Sequence, residues 1–412
     1  MPLPPFRRAP GAPPRVRLLS RLLAVGAVVL GTALAGPVPA ARASVSLTEV
    51  SGFGSNPGAL TMYVYRPAAL PAHPPVVVAL HGCTQNAQVY ADNSGLPRLA
   101  ERDGFLLVLA QTSSANNPSQ CFNWFRTADN RRGQGEALSV RQMVSQAVTA
   151  YGADPQRVYV TGLSAGGAMT AVLLATYPDV FSAGAVVAGL PYDCTKDNSP
   201  YTCMNPGVDL SPDQWAQRGR DAYPSYTGPW PRTAIWYGDQ DTTVVPRNAT
   251  ELRDQWTALH GLSRTPSRTT TIGPDATQQD QYLAADGTVA VEVDRVPGIG
   301  HGTPVDPGTG TDQCGSTGAP YFPDSICSSY WIARFFGLDT SDPGGGTGGG
   351  GGAPCFTASN YAQVQAGRAT TSGGYTYAKG SQQNMGLYNT FVTHTLKESP
   401  TGYYTIADNG CP

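Results

Sequence analysis

The segment VYVTGLSAGGAMT contains the pattern Gly-x-Ser-x-Gly at Gly162, Ser164 and Gly166. It separates a strand-like run from a helix-like run, where a sharp turn can expose a nucleophilic serine. Glycines two residues before and after the serine leave room for that turn, and the helix behind it contributes the positive end of its dipole. The pattern therefore predicts Ser164 as a nucleophile rather than a structural serine.

A nucleophilic serine in this position needs a histidine base later in the chain. His260, His301 and His394 are the histidines that follow Ser164. His260 lies at the end of a predicted helix, where an exposed histidine is expected, and His394 lies beyond a glycine tract. His301 follows a strand, in the glycine-rich loop PGIGHGTPVD. We therefore predict His301 as the base.

The acid that orients the base is expected after another strand. The segment WYGDQDTTVVP offers Asp239 and Asp241 at such a strand end. Either carboxylate could reach a histidine on a neighbouring loop, and either could instead cap a turn or a helix. Geometry inferred from the sequence leaves both residues open.

Two backbone N–H groups are needed to hold the oxyanion that forms during ester or amide cleavage. One is expected from Ala165, which follows the nucleophile, and the other from a loop after an early strand. The segment ALHGCTQN provides such a loop, with Cys83 as the predicted donor. We interpret His81 as a buried histidine that supports this loop.

Strands and helices alternate around these residues, which predicts an α/β fold with a mostly parallel sheet covered on both faces, the α/β-hydrolase fold in which such a serine turn occurs. Predicted strands are 60–67, 75–82, 104–111, 157–164, 181–189, 232–241 and 289–298, and predicted helices are 135–152, 166–178, 246–259 and 325–336.

The first 43 residues have the order of a secretory signal peptide. Arginines precede the apolar run LLAVGAVVLGTALAG, and ARAS follows with small residues at Ala41 and Ala43. The alternative, a membrane anchor, would need about 20 apolar residues. We expect a secreted, extracellular protein with no membrane attachment after cleavage. Net charge is −2 and no basic stripe is present, so nucleic acid is not an expected partner.

Eight cysteines in an exported chain are interpreted as four disulfides. Cys194 and Cys203 bracket a short loop, as do Cys314 and Cys327; Cys355 and Cys411 bracket the C-terminal segment, and Cys83 and Cys121 remain for each other. A metal site is the competing interpretation, but the spacings typical of zinc ligands do not occur. No metal and no organic cofactor is expected.

Eight glycines occur in the nine residues from 344 to 352, a composition typical of a flexible linker. We therefore divide the chain into a signal peptide (1–43), a catalytic domain (44–340), a linker (341–354) and a C-terminal module (355–412). The module carries eight aromatic residues and none is tryptophan. At under 60 residues it has little core, so a small β-rich unit held by a Cys355–Cys411 disulfide is predicted.

The motifs LHGCTQN, CFNWF, RRGQGE, GLSAGGAMT and WYGDQDTTV, with the His301 loop, together resemble secreted esterases of the polyhydroxybutyrate depolymerase type. The resemblance covers roughly residues 60 to 340 and implies a Ser-His-Asp esterase in which Asp241, rather than Asp239, is the acid. Feruloyl and acetylxylan esterases share this framework. Trp124 and Phe125 are candidates for an apolar binding wall, with core packing as the equal alternative.

The stretches TASNYAQVQAGRA and YAKGSQQNMGLYNTF resemble the C-terminal substrate-binding domain of these depolymerases. This likeness implies an insoluble polyester, poly(3-hydroxybutyrate), as substrate and partner of an otherwise monomeric enzyme. The candidate polymer-binding residues of the module are Tyr375, Tyr377, Leu387, Tyr388, Tyr403 and Tyr404. The alternatives are a cell-wall esterase acting on feruloyl or acetyl groups, a non-catalytic binding protein on a hydrolase scaffold and, for the module, a purely stabilising tail.

Overall fold

A computed structural model describes residues 44–339, 355–398 and 403–408. The expected signal peptide, the glycine tract and Cys411 lie outside the described residues. The disulfides Cys83–Cys121, Cys194–Cys203 and Cys314–Cys327 are present, which confirms three of the predicted pairings.

Residues 44–339 are built on one ten-stranded sheet of order β1-β2-β4-β3-β5-β6-β7-β10-β9-β8. The strands are β1 (Thr48–Val50), β2 (Thr61–Tyr65), β3 (Val76–Leu80), β4 (Leu106–Gln111), β5 (Val158–Leu163), β6 (Ala183–Val187), β7 (Arg232–Gly238), β8 (Arg268–Ile272), β9 (Thr277–Leu283) and β10 (Val289–Val296). The run from β4 to β10 is parallel, and the outer pairs at both edges are antiparallel. The predicted mostly parallel sheet is confirmed.

Helices cover both faces of this sheet. They are α1 (Ala87–Ser94), α2 (Leu96–Asp103), α3 (Gly135–Tyr151), α4 (Ala165–Thr176), α5 (Pro200–Met204), α6 (Pro212–Ala222), α7 (Arg247–Leu259) and α8 (Ser328–Phe336), with a 3₁₀ turn over Cys194–Lys196. Apolar residues of α3, α4, α6 and α7 belong to one core cluster, and those of α1, α2 and α8 to another. Central strands such as β3 (VVVAL) are therefore apolar on both faces, as buried parallel strands require.

The hairpin of β8 and β9 was not predicted. Its sequences RTTTI and TQQDQYL are rich in threonine and glutamine and lack the apolar alternation that marks a half-buried strand. Buried polar contacts replace that pattern, because Gln281 donates to Glu292 and Gln279 donates to Asp294 on the adjacent β10. The backbones of these strands pair in an antiparallel ladder, and the side-chain amides add buried contacts that hydropathy does not register.

The C-terminal module is β-rich, as predicted. Its described residues, 355–398 and 403–408, form two three-stranded sheets, β11-β15-β16 and β12-β13-β14, and one short helix. The elements are β11 (Cys355–Ser359), α9 (Asn360–Gln365), β12 (Ala369–Ser372), β13 (Tyr375–Ala378), β14 (Asn384–Leu387), β15 (Thr393–Glu398) and β16 (Tyr404–Ile406). Its buried cluster is small: Ala369, Ala378, Met385 and Leu396. Across the described ranges, no helix combines the length and apolar character needed to cross a bilayer.

Candidate active site

Ser164 lies on a strained turn between β5 and α4. Its φ is 58° and its ψ is −115°, a positive-φ conformation that costs a non-glycine residue of order 1–3 kcal/mol. The two glycines of the motif are required by close backbone approach. A Cβ on Gly162 would lie 2.6 Å from the carbonyl carbon of Gly166, and a Cβ on Gly166 would collide with the carbonyl oxygens of Leu80 and His81. The turn thus packs directly against the predicted oxyanion loop.

Asp241 and His301 are in contact. Nδ1 of His301 lies 2.7 Å from Oδ2 of Asp241, and the other carboxylate oxygen accepts the N–H groups of Thr243 (2.8 Å) and Val244 (2.9 Å). An ionised carboxylate can only accept, so the proton of the neutral imidazole lies on Nδ1 and Nε2 is left as a base. The Asp241 side chain is fully buried and that of His301 is 9% exposed, which shields the pair from solvent.

Asp239 is turned away from this pair. β7 ends at Gly238, and Asp239 accepts the N–H of Gly298 and forms an ion pair with Arg295 at 3.2 Å. The structure therefore places Asp241, and not Asp239, against His301. His260 is also removed from the site, because its Nε2 lies 3.1 Å from the carbonyl of Pro231 at the other end of β7.

The loop after β3 presents an unpaired N–H group. Within the described residues, the N–H groups of Cys83 and Ala165 donate no hydrogen bond, whereas Gly82 N–H donates to Oε1 of Gln85 and Thr84 N–H donates to the carbonyl of Ser119. Ala165 is the first residue of α4, where helix geometry leaves N–H groups free. The Cys83–Cys121 disulfide fixes one side of this loop.

Two buried ionisable residues, His81 and Glu136, form hydrogen bonds with the backbone in and near the oxyanion loop. Burial lowers the pKa of His81 to about 4, so the ring is neutral; Nδ1 contacts the carbonyl of Gly82 and Nε2 accepts the N–H of Thr112. Burial raises the pKa of Glu136 to about 8, although the Asn123 backbone and side-chain N–H groups that it accepts act in the opposite direction. His81 is thus placed as loop support, the role inferred from the sequence.

Trp124 lies in the core rather than on an open wall. Its side chain belongs to the larger core cluster and packs edge-on against Phe125, with ring centroids 5.5 Å apart. Phe125 is partly exposed. This placement corresponds to the core-packing alternative for Trp124.

The module residues singled out in the sequence divide into two groups. Tyr375, Leu387, Tyr388 and Tyr403 are exposed. Tyr377 is half-buried on β13, and Tyr404 is half-buried with its ring 6.0 Å from that of Phe356. Tyr404 therefore contributes to the packing of the module.

Two further exposed aromatics of the module were missed by sequence reasoning. Phe391 is 90% exposed, and Tyr361 is exposed with its ring 5.6 Å from Tyr388. Asn389 organises this region, because its side-chain oxygen accepts the N–H groups of Phe391 and Val392 and its carbonyl accepts that of Tyr361. We name Tyr361, Tyr375, Leu387, Tyr388 and Phe391 the aromatic surface. In the sequence, the asparagine two residues before Phe391 indicates a turn and could have marked this exposed ring.

Comparisons with known proteins agree with this architecture. Residues 59–273 match the family model described as Esterase PHB depolymerase. The chain is 49% identical over 308 residues to poly(3-hydroxyalkanoate) depolymerase C of Paucimonas lemoignei, covering 74% of each chain. It is 36% identical to an acetylxylan esterase of Coprinopsis cinerea, covering 63% of this chain and 69% of that protein.

A solved structure shares the fold. The acetyl xylan esterase from Aspergillus awamori has a TM-score of 0.57 and 32% identity, covering 62% of this chain and 94% of the other. The fold inferred from the sequence is thereby confirmed. From the family match and the 49% identical relative, the chain belongs to the esterase PHB depolymerase family and is a carboxylic ester hydrolase.

Proposed function

We propose that this protein is an extracellular serine esterase that hydrolyses poly(3-hydroxybutyrate)-type polyesters, with Ser164, His301 and Asp241 as its triad. The contact between Asp241 and His301 carries the catalytic part of the proposal, because it fixes the tautomer that leaves Nε2 of His301 basic. The parallel strands β5, β7 and β10 bring their carboxyl ends to one edge of the sheet, where all three residues follow.

In the first half of the reaction, Nε2 of His301 takes the proton of Ser164 as its Oγ attacks the ester carbonyl carbon. The carbonyl oxygen becomes an oxyanion that receives the N–H groups of Cys83 and Ala165. Asp241 stabilises the imidazolium without taking its proton. When the tetrahedral intermediate collapses, His301 gives that proton to the departing alkoxide, which leaves as an alcohol, and an acyl-enzyme remains.

In the second half, a water molecule gives its proton to His301 and attacks the acyl carbon. The same two N–H groups receive the second oxyanion. Collapse breaks the bond to Ser164 Oγ, which takes its proton back from His301, and the acid product leaves. Every charge that develops is met by a group already fixed by the fold, so little reorganisation accompanies the chemistry.

The aromatic surface carries the polyester part of the proposal. It is a cluster of exposed apolar side chains on a module whose own core is small. Phe391 in particular exposes 90% of its surface, although burying a phenylalanine is worth about 1.5–3 kcal/mol. Tyrosine rings offer an apolar face to methylene and methyl groups and a hydroxyl to an ester carbonyl. An aliphatic polyester surface presents those groups together.

Secretion is part of the same proposal. Three disulfides within residues 44–339 suit an oxidising compartment, and a secreted enzyme can reach polymer that lies outside the cell. Tethering the catalytic domain to a bound module would raise the local concentration of active site at the polymer surface. The relative from Paucimonas lemoignei is named as a poly(3-hydroxyalkanoate) depolymerase, which supports this choice of substrate.

The catalytic assignment is tested by Ser164→Ala with a soluble butyrate ester. We expect kcat to fall by about 10⁶-fold, because no other group replaces the nucleophile. A variant that keeps wild-type turnover would remove Ser164 from the mechanism and with it the proposed triad.

The substrate is tested by presenting the wild-type protein with poly(3-hydroxybutyrate) granules and, separately, with acetylated and feruloylated xylan. Clearing of the granules with release of hydroxy acids supports the polyester assignment. Release of acetate or ferulate without granule clearing would favour the second candidate, a cell-wall esterase, which the similarity to acetylxylan esterases supports.

A further inference from the structure

Tyr321 is an exposed aromatic residue beside His301. Within residues 44–339, the exposed large hydrophobic side chains are Tyr201 and Tyr321. The Tyr321 ring is 43% exposed and meets the His301 imidazole edge-on, with ring centroids 5.9 Å apart and an interplanar angle of 77°. Neither the motifs found in the sequence nor the proposed triad accounts for an apolar ring at this position.

The backbone of Tyr321 is held in an unfavourable conformation. Its φ is 68°, a region that a bulky residue enters only when its surroundings impose it. Its carbonyl accepts the N–H of Thr303 at 2.8 Å, two residues from His301. The next residue, Phe322, is buried with its ring 6.0 Å from Tyr90. These contacts fix the ring in its exposed position next to the base.

The same loop is tied to the oxyanion loop through one side chain. Gln85 is 4% exposed; its Nε2 donates to the carbonyl of Pro320 and its Oε1 accepts the N–H of Gly82. The residue before Tyr321 is thus joined to the residue before Cys83. A substrate carbonyl held by the Cys83 N–H would therefore lie at a fixed position relative to the Tyr321 ring.

The role of His301 decides which part of the ester meets this ring. The histidine must deliver its proton to the leaving oxygen, so the alcohol portion of the ester departs on the His301 side of the site. The acyl portion stays bonded to Ser164. A ring against His301 therefore faces the alcohol portion, which in a polyester is the next hydroxyacyl unit of the chain.

We propose that Tyr321 is a specificity-determining residue that forms the wall of an alcohol-side subsite for aliphatic chains. This inference rests on the proposed serine mechanism. It predicts that the enzyme gains affinity for the transition state with each carbon added to the alcohol, and that the Tyr321 ring supplies much of that gain.

The test uses two matched series of soluble esters. In the first, butyrate is esterified with alcohols from methanol to pentanol; in the second, ethanol is esterified with acids from acetate to pentanoate. We expect kcat/KM to rise along the alcohol series in the wild type. In Tyr321→Ala, the increase of kcat/KM from the methyl to the pentyl ester should be about tenfold smaller. The acid series is expected to keep its wild-type slope.

Three further variants make the result interpretable. Tyr321→Gly relieves the positive φ and should lose the alcohol-series slope as Tyr321→Ala does, so a folding defect of the alanine variant would not decide the test. Tyr321→Phe keeps the ring and should keep the slope. Tyr201→Ala removes the other exposed tyrosine of this domain, 81% exposed, and should follow the wild type in both series.

Equal losses in both series, a loss confined to the acid series, or unchanged slopes would each overturn the subsite. A Tyr321→Phe variant that behaves like Tyr321→Ala would overturn the role of the ring. The Ser164→Ala variant separates this result from the mechanism: if it abolishes hydrolysis while the Tyr321 variants change nothing, the subsite fails and the triad stands.

Discussion

The catalytic domain and the C-terminal module use aromatic side chains in opposite ways. In residues 44–339 most of the tryptophan rings are buried, including Trp215, Trp236 and Trp256, and they pack against a sheet whose edge carries Ser164, Asp241 and His301. In the module the buried cluster consists of two alanines, one methionine and one leucine, and the aromatic surface faces outward. One region uses its apolar area to fix positions, and the other leaves it available for contact.

This difference separates two physical requirements. The chemistry proposed at Ser164 needs a position fixed by close steric contact, as at Gly166, where any side chain would strike backbone atoms. Adhesion to a surface tolerates displacement, because apolar contact is roughly proportional to area and has no preferred direction. The two regions should therefore respond differently to conservative substitutions.

Among the substitutions that test this contrast, the largest effect is expected from Asp241→Asn. Oδ1 of Asp241 accepts two backbone N–H groups, so an asparagine would keep its oxygen there and turn its NH₂ group toward His301. That group would donate to Nδ1 and force the imidazole proton onto Nε2, the wrong tautomer for a base. We expect kcat on a soluble butyrate ester to fall by about 10⁴-fold, measured by steady-state kinetics.

Asp239→Asn is the matched control. In this variant the amide oxygen can still accept the N–H of Gly298. Only a half-exposed ion pair with Arg295 is lost, worth about 0–1 kcal/mol. We expect kcat within about threefold of the wild type. Similar losses in both variants would mean that the contact between Asp241 and His301 does not distinguish the two acids.

The two aspartates also show how much of the candidate site can be predicted from the sequence. The positions of Ser164 and His301 at the ends of strands could be predicted because a strand or helix boundary determines where each side chain emerges. Asp239 and Asp241 are two residues apart beyond one strand, and the path of the turn after Gly238 decides which one meets the histidine. That path depends on contacts of the Val296–Ile299 segment, which hydropathy patterns do not describe. Only the family resemblance selected Asp241.

Tyr321 and Phe391 were beyond prediction for related reasons. Tyr321 lies in a loop without periodicity, and its contact with His301 depends on a hydrogen bond between Thr303 and its own carbonyl. The exposure of Phe391 follows from the turn made by Asn389. Both positions are set by hydrogen bonds between irregular segments, whereas sequence patterns report regular ones.

A smaller effect is expected from Phe391→Ala, acting on the other region. Removing the ring withdraws about 1.5–3 kcal/mol of apolar contact, so adsorption to poly(3-hydroxybutyrate) granules should weaken by about tenfold or more. Turnover of a soluble ester should stay unchanged, because the ring lies in the module. Depletion of protein from the supernatant over increasing granule mass measures the adsorption.

Tyr201→Ala serves as the matched control, since it removes an exposed ring from the catalytic domain. Its adsorption should match that of the wild type. If granule binding is insensitive to Phe391→Ala, or equally sensitive to both variants, adhesion does not depend on the aromatic surface. Either result would contradict the contrast between the two regions.

The smallest effect concerns the stability of the buried framework near the oxyanion loop. Burial holds the pKa of Glu136 at about 8, above its ordinary value of 4.5. Between these values the folded protein keeps a proton that the unfolded chain has released, so stability falls as pH rises, by up to about 1.4 kcal/mol per pH unit. Glu136→Gln cannot lose that proton, and its melting temperature should depend less on pH from 6.5 to 8.

That interval isolates Glu136 from His81. The pKa of His81 is lowered to about 4, so its own effect on stability lies between pH 4 and 6.5 and is constant above that range. Over pH 6.5 to 8 the wild type should lose a few degrees of melting temperature relative to Glu136→Gln. Glu49→Gln, at an exposed residue of β1, should parallel the wild type. Parallel curves for all three proteins would mean that the carboxyl group of Glu136 is ionised in the folded state, and that its contact with Asn123 is an interaction of a charge rather than of a neutral acid.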